Sequence, residues 1–346
     1  MKQTILVTGG TGFIGSHTTV ELQAAGYDVV IIDNLSNSNA DVVDGIEKIS
    51  GIRPAFEKVD CLDCVALEGV FKKYSNIKGI IHFAASKAVG ESVEKPLMYY
   101  RNNIMSLVNI LELMPKYIVK GIIFSSSCTV YGQPDPENLP VTEKAPIKTA
   151  ESPYGNTKQI NEEIIHDYVK SGADIQAILL RYFNPIGAHP SAIIGELPNG
   201  VPANLIPYLT QTALGIRKEL SVFGNDYDTV DGSCIRDFIY VVDLAKAHVC
   251  SMKHILDGKM KEKVDTFNVG TGNGVSVLQL INTFEKCTGV KLPYKIVARR
   301  NGDIEKVWGN VDKAKTVLGW EAQHTLEESL SSAWKWQQKL RADGVM

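Results

Sequence analysis

The stretch Thr4-Ile5-Leu6-Val7-Thr8-Gly9-Gly10-Thr11-Gly12-Phe13-Ile14-Gly15 constrains this chain more than any other. Its first residues, β-branched and large aliphatic types, read as a short buried strand, and a helical pattern opens at Ser16. Between the two stand Gly9, Gly12 and Gly15. A glycine turn between a strand and a helix gathers backbone N–H groups at the positive end of the helix dipole. That is a site for a dinucleotide pyrophosphate. A Cβ there would block the approach of the phosphate or of the strand behind it.

Glycine spacing of this kind also arises in plain turns, so the context decides. A second strand, Asp28-Val29-Val30-Ile31-Ile32-Asp33, ends in a carboxylate eighteen positions after Gly15. A dinucleotide fold needs an acid there to accept hydrogen bonds from the adenosine ribose. Asp33 would repel a 2′-phosphate, and Asn34, Leu35, Ser36, Asn37 and Ser38 bring no cation to hold one. The expected cofactor is NAD rather than NADP.

The pattern then keeps alternating. Ala55–Asp60, Gly79–Ala85, Lys120–Ser127 and Asp174–Phe183 read as further strands, with an amphipathic helix over Leu62–Tyr74. Strands separated by helices predict an α/β fold with a doubly wound parallel (Rossmann) sheet. Ligands then sit at the carboxyl ends of the strands, where Asp60, Ala84-Ala85-Ser86-Lys87 and Ser125-Ser126-Ser127 fall. Ile104, Leu107, Val108, Leu111 and Met114 recur at helical spacing, as do Ile160, Ile164, Ile165 and Tyr168. These stripes read as core, or as the interface of a homodimer.

From Pro185 the texture changes to Pro, Gly and Asn with short apolar runs, which suggests loops over a ligand. The expected division is a cofactor domain over 1–184 and a smaller mixed α/β substrate lobe over 185–346, with segments near 236–256 packing back on the first. Trp334 and Trp336 read as packing and rim residues.

A net charge of −3 over 346 residues, without a basic run, argues against a nucleic-acid surface. No apolar run reaches the ~18 residues that span a bilayer. No signal-peptide pattern precedes the first glycines, so a cytoplasmic protein is expected. Cys61-Leu62-Asp63-Cys64 matches CxxC, but no second pair stands nearby to complete a metal site. The six cysteines read as reduced, buried thiols, and no metal is expected.

Catalytic chemistry is concentrated in Tyr154-Gly155-Asn156-Thr157-Lys158, after a proline suited to a first helical turn. Tyr154 and Lys158 lie one turn apart on one face. An ammonium beside a phenol, with an oxidised nicotinamide ring nearby, favours the phenolate and lowers its pKa from about 10. Such a tyrosine can take a proton from a hydroxyl while hydride leaves the carbon that bears it. Ser127, at a strand end, can hydrogen-bond the same oxygen.

Taken together, these residues make the chain resemble the extended short-chain dehydrogenase/reductase family over essentially its whole length, and within it the branch that epimerises UDP-hexoses at C4. The resemblance is carried by Val7 to His17, His82-Phe83-Ala84 with Lys87-Ala88-Val89-Gly90-Glu91-Ser92, Ser125-Ser126-Ser127, Pro153-Tyr154-Gly155, Arg181-Tyr182-Phe183-Asn184, Phe223-Gly224-Asn225-Asp226-Tyr227, and Arg299-Arg300 with Gly302-Asp303. It implies that Phe13, Ile14, Asp33 to Ser38, Asp60, Cys61, Phe83, Ala84, Ala85, Ser86, Lys87, Asn102 and Phe183 line NAD. It implies Tyr154 as the base, with Lys158 holding the nicotinamide ribose and Ser127 the reacting oxygen. Lys87, Asn184, Asn204, Leu205, Ser221, Val222, Phe223, Arg236, Arg300 and Asp303 would hold the UDP-sugar, and guanidinium groups suit a pyrophosphate by fork geometry and permanent charge. Phe238 departs from the tyrosine expected two places after Arg236.

The implied activity is interconversion of UDP-galactose and UDP-glucose through a 4-keto intermediate, with transient hydride transfer to bound NAD. Val307 borders the expected hexose pocket where a bulky tyrosine would confine a relative to plain hexoses. Its small size implies activity on UDP-N-acetylglucosamine and UDP-N-acetylgalactosamine as well. A 4,6-dehydratase would need Asp-Glu after the hydroxyl residue, and Ser127 is followed by Cys128 and Thr129. A non-catalytic NAD-binding protein would not need Ser127, Tyr154 and Lys158 intact.

Overall fold

The apolar runs assemble into one seven-stranded sheet in which every pairing is parallel. The computed structural model describes residues 2–300 and 303–345, so Gly302 lies outside the described residues. In chain order the first half runs β1 (Thr4–Thr8), α1 (Phe13–Ala24), β2 (Asp28–Asp33), α2 (Val42–Ser50), β3 (Ala55–Lys58), α3 (Cys64–Lys73), β4 (Ile77–His82), α4 (Val89–Glu94), α5 (Pro96–Lys116), β5 (Gly121–Ser127), α6 (Pro153–Lys170) and β6 (Gln176–Tyr182). Then come β7 (Asn184–Ile186), α7 (Leu205–Ala213), β8 (Leu220–Phe223), β9 (Ile235–Arg236), β10 (Phe238–Tyr240), α8 (Val241–Leu256), β11 (Val264–Val269), β12 (Val275–Ser276), α9 (Val277–Thr288), β13 (Tyr294–Val297), β14 (Lys306–Val307) and α10 (Leu326–Ala342).

The sheet order is β11-β6-β5-β4-β1-β2-β3. Strand order reverses between β1 and β4, and the crevice at their carboxyl ends is where such sheets take ligands. Alternate residues face opposite sides, as the strand period requires. Ile5, Val7, Ile31, Ile81 and Ile178 pack under α1, α2 and α8, while Leu6, Val30, Ile80, Ile122 and Leu179 pack under α3, α5 and α6. Leu107, Leu111, Met114 and Ile165 belong to that second core, so these helical stripes cover the sheet.

Several boundaries differ from the sequence reading. α1 begins at Phe13 rather than Ser16, because Gly12 is extended and its carbonyl already accepts from Ser16 N at 3.0 Å. Gly15 therefore sits inside the first turn. β3 and β4 stop at Lys58 and His82, which leaves Asp60 and Phe83–Ala85 in the loops that follow. Cys64, just after the N-cap Asp63 of α3, is exposed, and Cys250 and Cys287 are only partly buried, so burial of the thiols holds for Cys61, Cys128 and Cys234 alone.

The second half contributes more to the sheet than local pattern suggests. β11 pairs with β6 over Val264–Val269 and completes one edge. The remaining elements surround a separate core of Ile206, Leu209, Leu220, Val222, Phe238, Leu280, Phe284 and Leu330. Trp334 packs edge-on against Phe284, and Trp336 Nε1 donates to Glu196 O at 3.0 Å. At the start of α8, buried Asp243 accepts from Gln323 N, His324 N and His324 Nδ1 at 2.8–3.0 Å, which fixes the segment leading into α10.

Candidate active site

The glycine turn is built to admit a backbone-bound anion. Gly9 has φ +67°, and a Cβ on it would lie 2.9 Å from Ala84 N. A Cβ on Gly15 would lie 2.4 Å from Gly9 O, so the helix can approach the turn only with glycine there. Gly12 is the N-cap of α1 and offers no side-chain cap, and the first turn holds no acid. The first-turn N–H groups and the positive helix end thus face the crevice without a competing anion, which fits the pyrophosphate of NAD.

Asp33 stands at the end of β2, held by Leu35 N at 2.9 Å, Ser38 Oγ at 3.0 Å and Thr11 N at 3.2 Å. Leu35 has φ +61°, a left-handed turn that places its N–H on that carboxylate. Asn34 Nδ2 donates to Asp60 Oδ2 at 3.0 Å, which brings the β2 and β3 ends together. Ser36 and Asn37 are exposed. The Cys61 side chain is buried under the sheet, burial pushes its thiol up to about 12, and its carbonyl accepts from Asn109 Nδ2 at 2.8 Å.

Phe83 to Lys87 form the loop after β4. Ala84 N donates to Thr8 Oγ1, and Ser86 is gripped by α5, with Ser86 N on Asn103 Oδ1 at 2.8 Å and Asn102 Nδ2 on Ser86 Oγ at 3.0 Å. Asn103, which the sequence reading did not single out, also donates to Ser86 O and Thr157 Oγ1, at 3.0 and 3.1 Å. It ties the cofactor loop to the helix that carries Tyr154.

Tyr154 and Lys158 share one face of α6, whose N-cap Ser152 accepts from Gly155 N. Lys158 Nζ donates to Ser125 O at 2.5 Å and lies 4.9 Å from the Phe124 ring centre and 5.7 Å from that of Tyr154. Ser127 closes β5 beside Tyr154. The expected lowering of the Tyr154 pKa counts the cofactor ring with Lys158, and the chain's own groups work the other way. Burial raises the phenol well above the usual tyrosine range, Tyr182 adds to that, and the hydrogen bond with Ser127 opposes it. Burial also takes the Lys158 amine down to about 7, against the pull of Glu162. Desolvation is the largest influence on both groups.

The second lobe brings the other half of the crevice. Asn184 opens β7, and its N–H bonds Asp237 O. Arg236 Nη2 lies 4.0 Å from Asp303 Oδ1, and Arg300 Nη2 lies 2.7 Å from the same oxygen, so three of the expected residues converge. Arg300 sits over the Phe223 ring at 5.3 Å. The N-cap of α7 is Asn204, whose side chain makes no cap bond and instead donates to Glu196 Oε1 at 2.5 Å. That oxygen also meets Lys87 Nζ at 3.2 Å, so Glu196, absent from the sequence reading, links the two halves. Ser221 is half-buried at the same edge, while Val222 and the packed face of Leu205 turn into the lobe core.

Val307 is 1% exposed and packs with Cys128, Val130, Tyr131, Val141 and Phe183. It therefore lines the wall behind the residue that follows Ser127. Phe183 is buried in this cluster rather than open along its face. Phe238 is core, so the missing hydroxyl leaves no polar gap.

The family model described as the NAD dependent epimerase/dehydratase family matches residues 5–270. A UDP-glucose 4-epimerase of Bacillus subtilis is 49% identical over 333 residues, 96% of each chain. Among solved structures, the UDP-glucose 4-epimerase of Bifidobacterium longum in complex with NAD+ and UDP is 46% identical, with TM-score 0.93 over 97% of this chain and 98% of that one. The Stenotrophomonas maltophila UDP-glucose-4-epimerase with bound NAD and formylated UDP-arabinopyranose is 44% identical, with TM-score 0.94 over 99% of both.

Proposed function

Because the chain belongs to the NAD-dependent epimerase/dehydratase family, we infer that it interconverts UDP-galactose and UDP-glucose by inverting C4 of the hexose. The observation that carries this reading is the stack of Tyr154 and Lys158 beside Ser127, in a chain nearly half identical to such isomerases throughout. NAD bound in the crevice supplies a reversible hydride acceptor.

The chain's own residues do the rest. Tyr154 takes the proton of the 4-hydroxyl as C4 is oxidised and returns it when C4 is reduced. Ser127 hydrogen-bonds the same oxygen, and Lys158 holds the charge that forms on Tyr154. Asn204 at the start of α7, with Arg236 and Arg300, anchors the UDP end. The 4-keto sugar can then turn over while its nucleotide stays fixed. The uncapped start of α7 adds N–H donors for that anion.

Val307 carries the further proposal that UDP-N-acetylhexoses are also substrates. The protein is proposed to be a cytoplasmic homodimer. In favour of a dimer, Leu97, Met98 and Met105 of α5 and Val93 of α4 are exposed apolar side chains, with Leu97 80% exposed. No helix among the described residues is long and apolar enough to cross a membrane. The test is incubation of the purified protein with UDP-galactose and no added NAD, which should yield UDP-glucose. No conversion, with or without NAD, would overturn the assignment.

A further inference from the structure

A third charged residue continues the catalytic stack. Glu162 follows Lys158 by one turn of α6, and its side chain is buried. Its carboxylate is bidentate to Arg181 of β6, with Nη2 on Oε2 at 2.5 Å and Nε on Oε1 at 2.9 Å. Ser126 Oγ, between the two serines that face Lys158 and Tyr154, donates to Oε1 at 2.5 Å. Arg181 lies 5.0 Å over the Tyr131 ring, whose hydroxyl donates to Asn268 at 2.6 Å.

A buried ion pair is a weak device for stability, since an apolar pair of similar volume often does as well. Its neighbours suggest another use. Lys158 is faced by Tyr154 and Glu162 from its own helix, the Phe124 ring and Ser125 carbonyl from β5 and His82 from β4, while from β6 Tyr182 meets Ser125 and Tyr154, and Arg181 reaches the dyad through Glu162. Burial keeps His82 neutral, with its pKa lowered to about 3, and raises the Tyr182, Tyr131 and Cys128 groups to about 12. The charged side chains of this shell are the paired Glu162 and Arg181, with Glu143 acting on Tyr131 and Arg236 and Asp237 on Cys128 at its outer edge.

We propose that Glu162 and Arg181 are positioning residues that balance the electrostatic field on the Tyr154–Lys158 dyad. Glu162 favours the protonated ammonium on Lys158, while Arg181 cancels enough of that negative field for Tyr154 to become a phenolate. An unopposed Glu162 would hold protons on both groups, and an unopposed Arg181 would drive protons off both. This inference rests on the assignment of Tyr154 and Lys158 as the reacting pair.

The experiment uses the holoenzyme as purified. Phenolate absorbance is followed with pH, by difference against Tyr154→Phe, beside kcat against pH. Glu162→Gln leaves Arg181 unopposed, so the Tyr154 titration and both limbs of the rate profile should move to lower pH by about one unit. Adding Arg181→Met to Glu162→Gln restores a neutral pair and should return both towards the wild-type position, although the ion pair is gone. A role in packing alone predicts no such return, and a double variant displaced as far as the single one would overturn the proposal. Where Glu162→Gln does not fold, the double variant is measured alone against wild type, and a titration displaced from the wild-type position there is equally fatal. Absence of any titration lost in Tyr154→Phe would instead overturn the dyad itself.

Discussion

Lys158 directs its amine to the carbonyl oxygen of Ser125, 2.5 Å away, and not to the hydroxyl of Tyr154. The cation is thereby anchored to the strand that ends in Ser127, with its charge beside the Tyr154 ring. The hydroxyl of Tyr154 is left to share its protons with Ser127 and with a sugar. Position is set by the backbone, and chemistry by what the two side chains do not do to each other.

Replacing Tyr154 by Phe removes the proton acceptor and keeps the ring. Turnover of UDP-galactose should fall by about 10²–10⁴-fold, with KM little changed, since a positioned base contributes on that scale. Near-normal turnover would take Tyr154 out of the mechanism.

A reaction that returns its hydride regenerates NAD in each turnover, so the protein has no need to release it. Denatured protein should liberate dinucleotide in near-equal amount, and the native enzyme should be active without supplement. Gly15→Ala, whose Cβ would press on Gly9 O, should be purified with far less NAD. Equal dinucleotide in wild type and variant would count against the cradle described for α1.

Val307→Tyr places a bulky ring in a wall that Cys128, Tyr131 and Phe183 already fill. Overpacking costs about 1–3 kcal/mol, so the new ring should be driven towards the hexose. Turnover of UDP-N-acetylgalactosamine should fall by roughly tenfold or more, while UDP-galactose is spared. Wild-type protein inert towards the N-acetyl sugar would show that the wall is closed without tyrosine.

Burial lowers the pKa values of His17, His82 and His248 from 6.5 to about 3, 3 and 4. Their unfolded forms take up protons below pH 6.5 and the folded forms do not. Stability is therefore unaffected by them above that pH and falls as pH drops from 6.5 towards 4. Each contributes a slope of up to about 1.4 kcal/mol per pH unit. Tm should decline steeply across that window, and His82→Asn should flatten the decline. An identical slope in His82→Asn would refute its share.

Much of this arrangement is legible in the chain itself. Asp33 ends an apolar run at a fixed distance from the glycines, and Tyr154 and Lys158 are local to one helix, so spacing alone pairs them. Glu162 and Arg181 meet only because β6 lies beside β5, and no spacing in the sequence encodes that meeting. Glu196 reaches Lys87 across the crevice from a loop without periodicity. The protein's own effect on the Tyr154 phenol is hidden for a related reason. A neighbouring charge is written in the sequence, but desolvation depends on everything packed around Tyr154.

The edge strand β11 gives the order of synthesis a role. β6 is complete at Tyr182, but its outer partner, Val264–Val269, leaves the ribosome only after about half of the second lobe has been made. Until then the hydrogen-bonding edge of β6 is open, and the face later covered by α8 is bare. A nascent chain stalled after Tyr182 should be sticky and protease-sensitive, and a fragment ending at 184 should not behave as a domain. The cofactor half of the molecule begins first and is finished late.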